Sequence, residues 1–167
     1  VDRLVRQRVR ADGLAGILPD ADRATLVKRA YFGLLGLPPA PEQNARWIAD
    51  VRPDWYEHLL THLLGMPAYG ERWGRHWLDI AGYADSEGYT VADAERLWAW
   101  KYRDWVIRSL NQDKPFDQFI REQLAGDELA GAIEGDLTER QIDLLTATGY
   151  LRMAADGTGS GANDDAA

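Results

Sequence analysis

The sequence predicts an all-α fold: a single multi-helix domain of about seven or eight helices with a disordered C-terminal tail. Three observations predict it. Apolar residues recur with the 3.6-residue period in every long segment, no segment alternates convincingly as a strand, and Gly or Pro stands at the ends of the periodic runs. At 167 residues the chain fits one domain with a core of its own. The helical body is expected over residues 1–155. Over 156–167 the tail "DGTGSGANDDAA" has nothing apolar to bury.

In chain order, a first helix is expected over about residues 1–12, stopping at Gly13. Asp20 or Asp22 can cap a second, which carries Leu26, Val27, Ala30, Tyr31, Leu34 and Leu35 and ends at Gly36. "LPPAPE" forces an extended turn, and Pro41 suits the first turn of a short helix bearing Trp47 and Ile48. "RPDWYEHLLTHLLG" turns Trp55, Leu59, Leu60 and Leu63 inward and closes at Gly65. A helix over 69–84 leads to a loop from about Ser86 to Asp93, then to "RLWAWKYRDWVIRSL". "NQDKP" breaks the chain before "FDQFIREQLAGDEL". After a glycine-punctuated loop, Thr138 and Gln141 form a capping box for "TERQIDLLTATGYLRM".

The formal charge of −8 argues against a nucleic-acid surface, which needs clustered Lys and Arg. Arg3, Arg6, Arg8 and Arg10 are read as the wet side of the first helix. Zero cysteines exclude a disulfide, a thiolate nucleophile, a zinc ribbon and covalent haem attachment within this chain. No apolar run approaches the roughly 20 residues that span a bilayer. The chain begins at Val1, so a fragment of a longer protein is expected.

The stretch "YGERWGRHWLDIAGYADSEGY" concentrates the chemistry. On a helix, Tyr69, Trp73, Trp77, Ile80 and Ala84 form an apolar stripe assigned to the core. Beside it runs a second stripe of Arg72, His76, Asp79 and Tyr83. In the next long helix Trp98, Tyr102, Trp105 and Val106 line one side, and Arg103 falls among apolar positions, where a guanidinium needs a carboxylate. Asp127 and Asp79 are its expected partners. In "FDQFIREQLAGD", Phe116, Phe119 and Ile120 define the inner arc, which also holds Gln123 and Asp127.

His76, Asp79, Arg103, Gln123 and Asp127 are therefore candidates for one shared buried network. Such a network either fixes helix register or forms a ligand site. Trp73, Trp77, Tyr83, Asp85 and Tyr102 are candidates for a cleft beside it, with His76 and Asp79 on its interior side and Tyr83 and Asp85 near its mouth. His58 and His62 have metal-compatible spacing, but the glutamate of the zinc-protease motif is missing and both lie on an outer edge, so no metal site is assigned. No phosphate-cradling glycine loop and no nucleophile elbow is present.

The motifs "LLGLPPAPEQ", "YGERWGRHWLDIAGYADSEGY", "WKYRDWVIRSLN", "FDQFIREQLAGDEL" and "LLTATGYLR", in that order over roughly residues 1–152, resemble the planctomycete-type cytochrome-associated proteins. The likeness is to their second, PSCyt-type module, a domain of unknown function that follows a cytochrome c-like module. The resemblance implies a large exported protein, periplasmic or at the cell surface, whose neighbouring modules are the partners. It also implies haem c in the full-length protein, on a C-x-x-C-H motif downstream of this chain. The sequence "ERLWAWKYRDW" departs from the family's pattern, which carries Pro and Asn there.

Three readings follow. The first is a helical module supporting electron transfer or redox chemistry, with the haem supplied downstream and His76 as axial ligand or hydrogen-bond partner. The second is a domain of a polysaccharide-active enzyme using Asp79, Asp85 or Asp127 as acid or base. The third is a non-catalytic scaffold joining modules. The isolated chain is expected to bind no haem covalently and to show no hydrolase activity of its own.

Overall fold

The computed structural model describes residues 2–13, 21–87 and 93–153. Among them are eight α-helices: α1 Asp2–Ala11, α2 Arg23–Leu35, α3 Pro41–Ile48, α4 Trp55–Leu64, α5 Pro67–Ala81, α6 Ala99–Asn111, α7 Phe116–Ala130 and α8 Glu139–Ala147. A 3-10 turn, Thr148–Arg152, continues α8. The described residues contain no strand, only an isolated antiparallel bridge between Ser86 and Glu95. The all-α expectation holds. The expected tail and Tyr89 lie outside the described residues.

Local chemistry accounts for the helix ends. Asp22 caps α2 by accepting from the Thr25 N–H at 2.9 Å, and left-handed Gly36 closes it at φ 74°. Pro41 opens α3, while the Gln43 side chain accepts from the Ala40 N–H at 2.9 Å. The Thr138–Gln141 box starts α8: Gln141 N–H donates to Thr138 Oγ1, and Gln141 Oε1 accepts from Thr138 N–H.

Two clusters make up the core. The first gathers Val27, Ala30, Tyr31 and Leu35 of α2 with Trp47 of α3 and Leu59 and Leu63 of α4. The second gathers Leu78 of α5, Tyr102, Trp105 and Val106 of α6, Phe119 of α7, Ala147 of α8 and Met153. Helix α5 reaches both, since Ala68 and Tyr69 pack on the first and Trp77 and Ala81 on the second.

The face that α5 buries differs from the expected one. Its buried residues are Gly70, Gly74 and Leu78, whereas Trp73 is 40% exposed and Ile80 76%. The reason is close approach to α6. A Cβ on Gly70 would stand 2.6 Å from the Asn111 side chain, and one on Gly74 3.2 Å from Ile107 Cγ1. Asn111 then accepts from the Gly70 N–H at 2.9 Å and donates to the Pro67 carbonyl at 3.1 Å, tying the end of α6 to the first turn of α5.

The same helix ends three residues before the expected boundary of 84. Gly82 adopts φ 69° and Tyr83 N–H returns to the Leu78 carbonyl at 3.0 Å, a left-handed stop. Tyr83 therefore does not continue the helical stripe of Arg72, His76 and Asp79. Helix α7 is kinked at Ala125 (φ −140°, ψ 29°), and at Gly126 its backbone lies so close to α8 that a Cβ would meet the Leu144 carbonyl.

Candidate functional site

The sequence-assigned network forms only around Gln123. That residue is 1% exposed on α7, and its Oε1 accepts from Tyr102 O–H at 2.6 Å and from Trp77 Nε1–H at 3.0 Å. Trp77 Nε1–H also points at the Tyr102 oxygen at 3.0 Å. The Gln123 amide returns its own N–H to the Phe119 carbonyl at 2.9 Å, which fixes the amide in one sense. Burial pushes the Tyr102 phenol up to about 12, so the group is a neutral donor across the physiological range. Around this triangle the rings of Trp77 and Phe119 meet edge to face at 4.9 Å, and Phe119 stacks on Trp105 at 5.1 Å.

The other four network candidates do not join it. His76 and Asp79 are exposed on α5, because the helix buries Gly70, Gly74 and Leu78 and turns the side that carries Trp73 and Ile80 outward. Asp127 is exposed as well, because the Ala125 kink takes it off the arc that Phe119 and Gln123 define. Arg103 keeps a 42% exposed side chain and pairs with its neighbour Asp104 at 3.0 Å, not with Asp127 or Asp79. It lies about 100° of helical rotation from Tyr102, at the edge of the buried face. The Asp104 hydrogen bond holds the Arg103 guanidinium above its ordinary range.

The cleft candidates separate too. Trp77 and Tyr102 belong to the interior triangle, while Trp73 stands outside on α5, its ring 5.4 Å from that of His76. Tyr83 donates to Asp85 at 2.5 Å beyond the end of α5. Burial, then the Asp85 carboxylate, pushes the Tyr83 phenol up to about 12. His76 and Asp79 therefore face solvent and not the interior of a cleft. Phe116, expected on the inner arc of α7, is 68% exposed, and Trp98, expected in the core, is 66% exposed at the start of α6.

Two features were missed in the sequence. The first is a buried charge cluster. Glu122, 1% exposed, accepts from Lys114 at 2.5 Å, Gln118 at 2.8 Å and Arg140 at 2.9 Å. Lys114 is largely covered, with 9% of its side chain exposed, and its ammonium lies 3.7 Å from Asp143 and 4.6 Å from the Trp105 ring centroid. Burial pushes the Glu122 carboxyl up, but its three donors outweigh that and hold it below the ordinary carboxylate range. Lys114 sits in the "NQDKP" break, which composition marks only as punctuation; the one signal in the sequence is its position before a helix bearing an acid one residue from Gln123.

The second is a cleft of about 560 Å3 between the residues around the Ser86–Glu95 bridge, the start of α6, α8 and the 3-10 turn. Of the candidate network and cleft residues assigned from the sequence only Tyr102 lines it, and Trp98, expected in the core, forms part of its wall.

The arrangement offers little catalytic chemistry. Asp79, Asp85 and Asp127 sit on α5, the following loop and α7, and no hydrogen bond joins them among the described residues. No cluster of three His, Cys, Asp or Glu side chains able to hold a metal occurs among the described residues. His58 pairs with Asp54 at 3.1 Å and the His62 ring lies 5.6 Å from Trp47, so the two imidazoles have separate partners. A resident haem c does not fit this chain, because no cysteine exists to form a thioether. No described helix is long and apolar enough to cross a membrane. Comparison with curated proteins and with solved structures found no match. A family model, PSCyt2, described as a protein of unknown function (DUF1549), matches residues 1–167, and the chain belongs to that family.

Proposed function

We propose that this chain is a helical module of a larger exported haem c-containing protein, periplasmic or at the cell surface, and supports electron transfer or redox chemistry there. The haem belongs to another segment, and a cytochrome c-like module and other neighbouring modules of the same polypeptide are the partners. The observation that carries this reading is the uncovered face of α5. Trp73 (40% exposed), Ile80 (76%) and the exposed His76 lie opposite the glycine face, with the Trp73 and His76 rings in contact. An exposed apolar and aromatic stripe of this kind favours a covering partner. His76 gives that stripe an imidazole that can meet a metal centre or hydrogen-bond beside it. The family resemblance supplies the haem in this reading. The polysaccharide-active alternative has no assembled acid–base pair behind it.

The test is made on the longer protein that includes the downstream segment. It should purify with a haem absorbance band, and His76→Ala should shift that spectrum or the reduction potential. Because His76 is exposed, the same substitution should leave the thermal midpoint of this domain nearly unchanged. A longer protein without haem, or a His76→Ala variant with an unaltered spectrum and potential, refutes the proposal.

A further inference from the structure

The cleft beside α6 joins apolar walls to a local surplus of positive charge. Its walls are built from Leu97, Trp98, Leu137, Ile142, Leu145 and Met153. Of these, Leu97 is 63% exposed, Trp98 66% and Ile142 49%, so the apolar surface is open to an occupant. At about 560 Å3 the space is that of a small-molecule site.

The charged groups of the lining are three cations, Arg96, Lys101 and Arg152, against two acids, Glu87 and Glu95. The lining is therefore positive in a chain whose formal charge is −8. Of the acids, Glu87 has its Oε2 closed to solvent, so that oxygen does not meet a ligand at the cleft surface. Helix α6 adds to the same sign. It starts at Ala99, in the cleft wall, with no acid in its first turn and no side-chain cap from Trp98. No side chain of α6 offsets the partial positive charge of that terminus.

The three cations are not equally engaged. Arg96 donates to the Met153 carbonyl at 3.4 Å, and Arg152 has interactions of its own. Lys101 is exposed, and its ammonium lies 4.6 Å from the Trp98 ring centroid and 5.9 Å from that of Trp100. Ring faces attract the charge but leave donors of the ammonium for an acceptor. The Trp98 contact sets that charge beside the apolar wall. We infer that the cleft binds a small organic carboxylate carried on an aromatic or aliphatic body. The carboxylate accepts from Lys101, the field of Arg96, Arg152 and the start of α6 adds attraction, and the body packs on Trp98 and Leu145. A neutral ligand has the walls alone, and an ammonium meets the surplus of cations. This site is independent of the haem reading and stands or falls separately from it.

Isothermal titration at low ionic strength with three probes of one shape tests it: 3-phenylpropionate, 3-phenylpropanol and 3-phenylpropylammonium. The carboxylate should bind saturably and at least about fivefold more tightly than the other two, the worth of a charge-assisted contact at a partly solvated site. In about 1 M salt that preference should shrink. Lys101→Gln should remove most of it, and Trp98→Ala should weaken all three probes. Both side chains are exposed, so both variants should fold. Should either fail, amide and indole shifts in the unaltered protein still decide. The carboxylate must perturb Trp98, Lys101 and Leu145 and leave Trp73 and His76 of α5 and the arginines of α1 unmoved. Equal affinities, preference for the ammonium, a preference that survives Lys101→Gln or high salt, perturbation centred elsewhere, or no saturable binding at millimolar concentration each overturn the inference.

Discussion

Replacing Glu122 tests the buried charge cluster that joins α7 to α8 and to the turn before α7. The carboxylate is 1% exposed and takes donors from Lys114, Gln118 and Arg140, and Lys114 keeps only 9% of its side chain in solvent. Glu122→Leu removes the anion and leaves the largely covered Lys114 ammonium without its closest partner. Breaking such a pair from one side costs about 3–5 kcal/mol. The cost here should fall at the lower end of that range. Asp143 remains 3.7 Å from Lys114, and Arg140, with a 57% exposed side chain, regains water.

Glu122→Leu combined with Lys114→Met should recover most of the loss, because apolar residues of similar volume replace a buried pair at little net cost. The pH dependence has a fixed sign. The folded-state pKa of Glu122 is depressed, so its contribution is present above the unfolded carboxylate pKa and is lost as pH falls through the folded value. The gap between the parent chain and Glu122→Leu should therefore be full near neutrality and narrow in acid.

Urea denaturation at several pH values, with equal m-values as the check on two-state behaviour, measures all of this. Arg121→Ala is the control, since the Arg121–Asp117 pair is exposed on both sides and contributes about 0–1 kcal/mol. A loss for Glu122→Leu no larger than the control's, or a gap that widens in acid, refutes the reasoning.

Gly126→Ala should destabilise by more than the ordinary gain of glycine replacement within a helix, because its Cβ would press on the Leu144 carbonyl and part α7 from α8; a raised melting temperature would count against that packing. Asn111→Ala should lose about 1–2 kcal/mol, since it deletes the acceptor for Gly70 N–H and the donor to the Pro67 carbonyl, and chemical denaturation checks it. Arg103→Leu should change stability by about 0–1 kcal/mol, because its pair with Asp104 is half exposed; a larger loss in the same assay would restore a buried role. In an alkaline titration followed by tyrosinate absorbance, Tyr102 and Tyr83 should ionise near 12, and Tyr102→Phe should delete one late step. Raised folded pKa values mean that their contribution is full below the unfolded tyrosine pKa and lost as pH rises through about 12.

The sequence by itself determined which segments are helical and where most of them start and stop. Asp22, Gly36, Pro41, Thr138 and Gln141 act on backbone groups within a few residues, so their effect is legible without a partner. It also marked Tyr102, Trp105, Phe119 and Gln123 as interior, because periodicity records a buried face when the helix is regular and its large residues do the packing. Only the tertiary structure decided which way α5 turns. Gly70 and Gly74 carry no hydrophobic weight, yet they allow α6 to approach, and that contact sent Trp73, His76 and Ile80 outward. The Ala125 kink likewise moved Asp127 off its arc by a backbone change that no periodic reading contains. Glu122, Lys114 and Arg140 met because α7 and α8 fold together, and the cleft around Glu87 exists only where α6, α8 and the bridge at Ser86 converge. Helix caps are local interactions, whereas helix phase, buried ion clusters and clefts depend on which backbones can come close.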